Sequence, residues 1–136
     1  MLTRAIWLVV FGASLFIDPR LSGAARQCVM FSETDELFRI NDTVFTGTVL
    51  SNTPVPGPED GVQSIGILRG ERFWKGAPRR EIRVGSDLPF LVGERYVVFA
   101  SGDPLSTTIA CEAAQPVARA MKKRLWLSRQ PSRTAG

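Results

Sequence analysis

The stretch Phe38–Leu50, FRINDTVFTGTVL, decides how the rest of the chain is read. A polar turn at Asn41 and Asp42 leads into Thr43 to Leu50, where β-branched and aromatic residues dominate, a composition that suits a pleated ladder better than a helix. Alternation puts Phe45, Gly47 and Val49 on one face and Val44, Thr46, Thr48 and Leu50 on the other. Gly47 has no side chain to pack, so it marks a tight curve or bulge in a core strand. The other segments are expected to pair with this strand or pack on it.

Upstream, Ser32 followed by Asp35 reads as a capping box for a short helix from Glu33 to about Ile40, with Leu37 and Phe38 turned to the core. Downstream, Asn52 to Gly61 holds three prolines, two glycines and two acids, and is expected to leave the sheet as an exposed, mobile loop. Strand character resumes from Val62 to Arg69. The run Gly70 to Gly76, GERFWKG, follows as a turn carrying two large aromatics. In Arg79 to Val84, Ile82 and Val84 alternate with Arg79, Glu81 and Arg83, the pattern of a strand with one solvated face. SDLPFLVG makes an extended loop that turns at Gly93, and RYVVFA, 95–100, is apolar on both faces, as in a strand covered on each side. Ser106 to Ala110 reads as a last short strand. Pro116 then opens a helix whose stripe is Val117, Met121 and Leu125, ending near Trp126 or Leu127.

The first 25 residues read differently. Met1 to Arg4 is a short positive start, Ala5 to Ile17 is almost wholly apolar, and Ser22, Gly23, Ala24 and Ala25 are the small residues a signal peptidase requires. Residues 1–25 are therefore expected to be a cleaved secretory signal, and the mature protein to be exported, periplasmic or extracellular. Two cysteines follow, Cys28 and Cys111, 83 positions apart. Export favours a bridge between them over free thiols, and closing so long a loop is worth about 4–5 kcal/mol in the chain-entropy model.

The net charge of +4 is unevenly spread. Removing Arg4, Arg20 and Asp18 leaves +3, and six basic residues from Arg119 to Arg133 stand with no acid among them, so the body before them is mildly acidic. Residues 128–136 read as a disordered basic tail making at most weak peripheral contact with anionic surfaces. A whole-surface nucleic-acid footprint is missing, and no nucleic-acid partner is expected. The chain has no histidine, and two thiols do not complete a metal site, so no metal and no cofactor are expected. No nucleophile elbow, phosphate loop or suitably spaced carboxylate pair points to catalytic residues, and the chain reads as not an enzyme. Glu94 and Arg95 read as surface residues bordering a strand.

Five strands with a helix at either end fit a mainly β protein: a five-stranded barrel of the oligonucleotide/oligosaccharide-binding (OB) type, with a short N-terminal helix and a C-terminal helix. An immunoglobulin-like sandwich wants more strands and has no place for the terminal helix. Cys28 with the following helix, FRINDTVFTGTVL, FWKG, LVGERYVVFASG and Cys111, in that order, resemble the netrin-like module. That barrel is shared by tissue inhibitors of metalloproteases, complement C-terminal domains and small exported bacterial proteins. The resemblance covers residues 26–127 and implies a protein-binding role with the N-terminal segment clipped to the body.

The inhibitory relatives open on Cys-x-Cys, whose first residue offers its amine and carbonyl to a protease zinc. This chain reads Gln27-Cys28-Val29-Met30, with Arg26 ahead of the cysteine. The middle cysteine of that family is also missing, the corresponding stretch being Ser86-Asp87-Leu88-Pro89-Phe90. The expected function is a monomeric, exported protein-binding module with an unknown protein partner in the envelope or outside the cell. A metalloprotease inhibitor and a structural envelope protein holding anionic surfaces by its tail are the alternatives. Phe73, Trp74 and Lys75 are the candidate partner-binding residues.

Overall fold

The computed structural model describes residues 33–56, 61–107 and 112–135. The leader, Cys28, Cys111 and the tip of the 52–61 loop lie outside the described residues. The elements run α1 (Thr34–Ile40), β1 (Thr43–Pro54), β2 (Ser64–Lys75), β3 (Glu81–Ser86), β4 (Arg95–Ala100), β5 (Ala114–Pro116), a single 3-10 turn (Val117–Arg119), α2 (Met121–Leu127) and β6 (Arg133–Thr134). The strands form one antiparallel sheet in the order β3-β2-β1-β4-β5, with β6 added alongside β2.

β1 is the organising strand, pairing with β2 on one side and β4 on the other. Its two faces sort as the alternation predicts. Phe45 and Val49 join Leu68, Phe73, Ile82, Val84, Phe90, Tyr96 and Val98 in an inner core. Val44 turns outward, where Val97, Phe99, Leu37, Ala120 and Leu127 bury it beneath the two helices. β4 is thus covered on both faces, and β3 buries Ile82 and Val84 while exposing Glu81 and Arg83. Among the described residues no helix packs on the inner core; its side chains come from β1 to β4 and the loop before β4, and the sheet curls around them.

The curl has an identifiable cause. The β1–β2 register slips at three places, leaving Glu71 and Trp74 on β2 and Leu50 on β1 with no residue opposite, and each such bulge tightens the twist. Gly47 sits at one slip, where an added Cβ would lie 2.8 Å from the Arg69 carbonyl oxygen. Among the described residues the ladder does not close: β3 and β5 are its two edges, and Gly85 is joined to the segment after β4 by a parallel bridge at Ser106. There the Gly85 amide donates to the Leu105 carbonyl at 2.8 Å and the Thr107 amide to the Gly85 carbonyl at 3.0 Å.

Several expectations need correction. β1 continues through Pro54, paired to Ser64, so the chain leaves the sheet later than the prolines suggested. GERFWKG is not a turn: β2 runs unbroken to Lys75. The described strand beside β4 is Ala114–Pro116, after Cys111; of the expected strand Ser106–Ala110, Ser106 makes two isolated bridges and 108–110 lie outside the described residues. Pro116 ends that strand, and the helix beyond it is broken at Ala120 (φ −110°, ψ 34°). That break resets the helical phase, so Met121 (67% exposed) and Leu125 (59%) face solvent, while Leu127 and Trp126 turn inward. Nor is 128–135 a disordered tail. It folds back as β6 against Arg72 and Phe73, with the Ala135 amide donating to the Glu71 carbonyl at 2.9 Å. β3 covers only the first half of the long β2 edge, and β6 pairs with residues in the second.

Candidate functional site

The three residues singled out from the sequence part company in the fold. Phe73 is 2% exposed and stacks on Phe45, centroids 5.2 Å apart, inside the inner core, where it cannot meet a partner. Trp74 is half-buried on the outer face against the helix-covered cluster. Lys75 is committed to holding α1: its ammonium donates to the carbonyls of Phe38 (2.8 Å), Arg39 (3.2 Å) and Asn41 (2.6 Å), and lies 5.1 Å from the Phe38 ring centroid.

That cap explains a misplaced expectation. α1 has no side-chain hydrogen bond at its N-cap, Glu33, and Ser32 lies outside the described residues. Its carbonyl end is satisfied instead, by Lys75 and by the Asn41 amide donating to the Leu37 carbonyl at 2.8 Å. Lys75→Met should cost about 1–2 kcal/mol by stripping three carbonyls of a charged donor. The check is a urea unfolding midpoint, with circular dichroism to follow loss of α1, and an unchanged midpoint would contradict the capping role.

Besides a cleft of about 590 Å³ bordered by Asp42, Arg79, Arg83 and Asp103, two concave surfaces stand out among the described residues. The first is a groove of about 500 Å³ beside the loop between β3 and β4, bordered by Leu88, Phe90, Leu91, Tyr96 and Ala113. On that loop Leu88 is 69% exposed, Leu91 56% and Val92 64%. The backbone beneath them is held. Ser64 Oγ donates to the Leu88 carbonyl (3.1 Å), the Phe90 amide to Asn52 Oδ1 (3.0 Å) and the Leu91 amide to the Tyr96 hydroxyl (3.0 Å). Phe90 packs edge-on to Tyr96 in the inner core, and Gly93 makes the turn at φ +87°. The signal for this surface is an apolar run, LPFLV, in a segment that cannot be a helix and of which only Phe90 is buried.

The second is a smaller cleft of about 250 Å³ between the outer face of the sheet and α2, lined by Thr46, Arg72, Trp74, Arg95, Arg124 and Ser132 among others. At its edge the bulged Glu71 accepts from Thr48 Oγ1 at 2.6 Å and from Arg95 Nε and Nη2 at 2.9 and 2.8 Å. Partial burial pushes the Glu71 carboxyl up, but the Thr48 and Arg95 hydrogen bonds and the charges of Arg95 and Arg69 outweigh it, holding the group below its ordinary 4.5. A folded value below the unfolded one means that this contact contributes stability above the unfolded value and loses it as pH falls through the lowered one. Glu71→Gln should therefore flatten part of the acid limb in a stability curve between about pH 6 and about pH 3. An acid limb identical to wild type would contradict this. On α2, burial lowers the Lys123 ammonium from 10.5, only partly offset by the charge of Glu112, while its protons go to the Glu112 carbonyl and Gln115 Oε1.

Among the described residues no group of three or more histidine, cysteine or acidic side chains could hold a metal, and no helix is long and apolar enough to cross a membrane. No protein-family model matches the chain, and no curated protein matches it.

Proposed function

We propose that this chain is an exported, non-catalytic binding module built on a netrin-like barrel, and that it holds a protein partner along the loop between β3 and β4. The observation that carries the reading is the set of three large apolar side chains, Leu88, Leu91 and Val92, exposed together on a loop whose backbone is already hydrogen-bonded in place. Exposed apolar surface costs solubility, and on a preorganised loop it lowers the ordering cost of association. The groove beside it gives a partner's side chain somewhere to insert.

Barrel closure is supported by the bulged β1–β2 pair, by an inner core drawn from β1 through β4, and by the parallel bridge from Gly85 to Ser106. The signal at residues 1–25 and a Cys28–Cys111 bridge belong to the same proposal.

The experiment uses the folded mature chain as bait against its native envelope, beside a Leu88→Ser, Leu91→Ser, Val92→Ser variant. These side chains are largely in water, so the variant should fold with a similar melting temperature. Its affinity for the partner should fall by about 2–4 kcal/mol, roughly thirtyfold to a thousandfold. Undiminished binding by the variant would overturn the assignment of this edge.

A further inference from the structure

We propose that the cleft between the outer face of the sheet and α2 is a binding site for a dianionic phosphate group, either free phosphate or a phosphate monoester. This inference is independent of the apolar loop and uses none of its residues.

Three guanidinium groups from three elements line the cleft: Arg72 from β2, Arg95 from β4 and Arg124 from α2. Glu71 neutralises Arg95. Arg72 gives one N–H to Ser132 Oγ at 3.2 Å, and Arg124 gives one to the Val117 carbonyl at 3.5 Å. Among the described residues neither has a carboxylate within ion-pair distance. Counting the described residues alone, the cleft presents two positive charges with no carboxylate partner, a match for a dianion.

Its lining is suited to the same ligand. Ser132 accepts from Arg72, which leaves its own proton to donate. Thr46, only 7% exposed as a residue, also lines the cleft and adds a hydroxyl to its wall. Trp74 and Leu127 lie behind the site, while the guanidinium groups themselves reach solvent, so a ligand can approach them directly. A tetrahedral dianion offers three or more acceptor oxygens and can take donors from several sides at once, which suits guanidinium groups arriving from separate elements. β6 completes the site by bringing the chain around Ser132 against β2, so the fold-back of the C-terminal segment has a use beyond covering an edge.

The test is a titration of the full mature chain, followed by the indole N–H and arginine side-chain signals in NMR. Inorganic phosphate, phenyl phosphate and phenyl sulfate are each added at about pH 7.5, where a phosphate monoester is largely dianionic; sodium chloride holds the ionic strength constant. Saturable shifts at Trp74 with a dissociation constant on the order of millimolar are expected for both phosphates. Phenyl sulfate, similar in shape but singly charged, should bind about tenfold more weakly. Arg72→Gln and Arg124→Gln should each weaken phosphate binding about tenfold, with Arg124→Lys intermediate. Arg80→Gln, an exposed arginine outside the cleft, should bind as wild type. Free phosphate binding as well as the ester would place recognition in the phosphate alone, while preference for the ester would add Trp74 to it, and either outcome supports the site. Shifts that rise without saturating, saturable binding indifferent to Arg72 and Arg124, an equal loss in Arg80→Gln, or equal affinity for phenyl sulfate would overturn it.

Discussion

Phe73→Ala should lower the unfolding free energy by about 3–5 kcal/mol, the range for deleting a fully buried aromatic ring. The ring lies in the inner core against Phe45, tilted by 14°, among Leu68, Ile82 and Val84. Among the described residues no helix packs on that core, so none can shift inward to fill the cavity. Trp74→Ala, one residue on, should cost about 1–2 kcal/mol, because Trp74 is half-buried against the helices. Urea unfolding of the two variants beside wild type measures both. A Phe73→Ala loss below that of Trp74→Ala would mean that Phe73 does not occupy the core. The comparison also separates structure from function, since a partner-binding defect in Phe73→Ala would reflect unfolding and not a lost contact.

Gly70→Ala is expected to cost about 3 kcal/mol, at the upper end for overpacking a well-filled interior. A methyl there would lie 2.2 Å from the Arg79 carbonyl oxygen and 2.8 Å from the Phe73 ring. Backbone on one side and the core on the other leave no cheap relaxation, and the Gly70 amide is bonded to the Arg80 carbonyl at 2.9 Å, so separating the strands would break that bond as well. Gly93→Ala is the useful contrast. Its φ of +87° is unfavourable for alanine, but nothing lies within 4 Å of the added carbon, so about 1–2 kcal/mol is expected. Equal losses at the two positions would show that the backbone conformation, not the space, dominates at both.

How far the sequence could be read depended on how local the deciding interaction was. RYVVFA gave β4 to the residue because apolar character on both faces requires cover on both faces, and the inner and outer faces of β1 followed from alternation alone. The helix after Pro116 misled because the periodicity argument assumes one uninterrupted phase, and the break at Ala120 divides the segment into two. In the cleft, Thr46, Arg72, Arg95 and Arg124 lie far apart along the chain and share no motif, so only strand register and the docking of α2 bring them to one place.

By itself the sequence determined that the described chain is mainly β, with a helix before the first strand and another near the end, since apolar alternation and helical periodicity act over a few neighbouring positions. Only the tertiary structure decided what FWK does. Three consecutive residues have no local signal to say that Phe73 stacks on Phe45, that Trp74 is left unpaired by a register slip, or that Lys75 closes a helix 34 to 37 positions earlier. The same holds for β6, whose two residues are too few to show a period. They are a strand because β3 leaves the far edge of β2 unpaired, and unpaired backbone groups there gain by taking the nearest free segment as a partner.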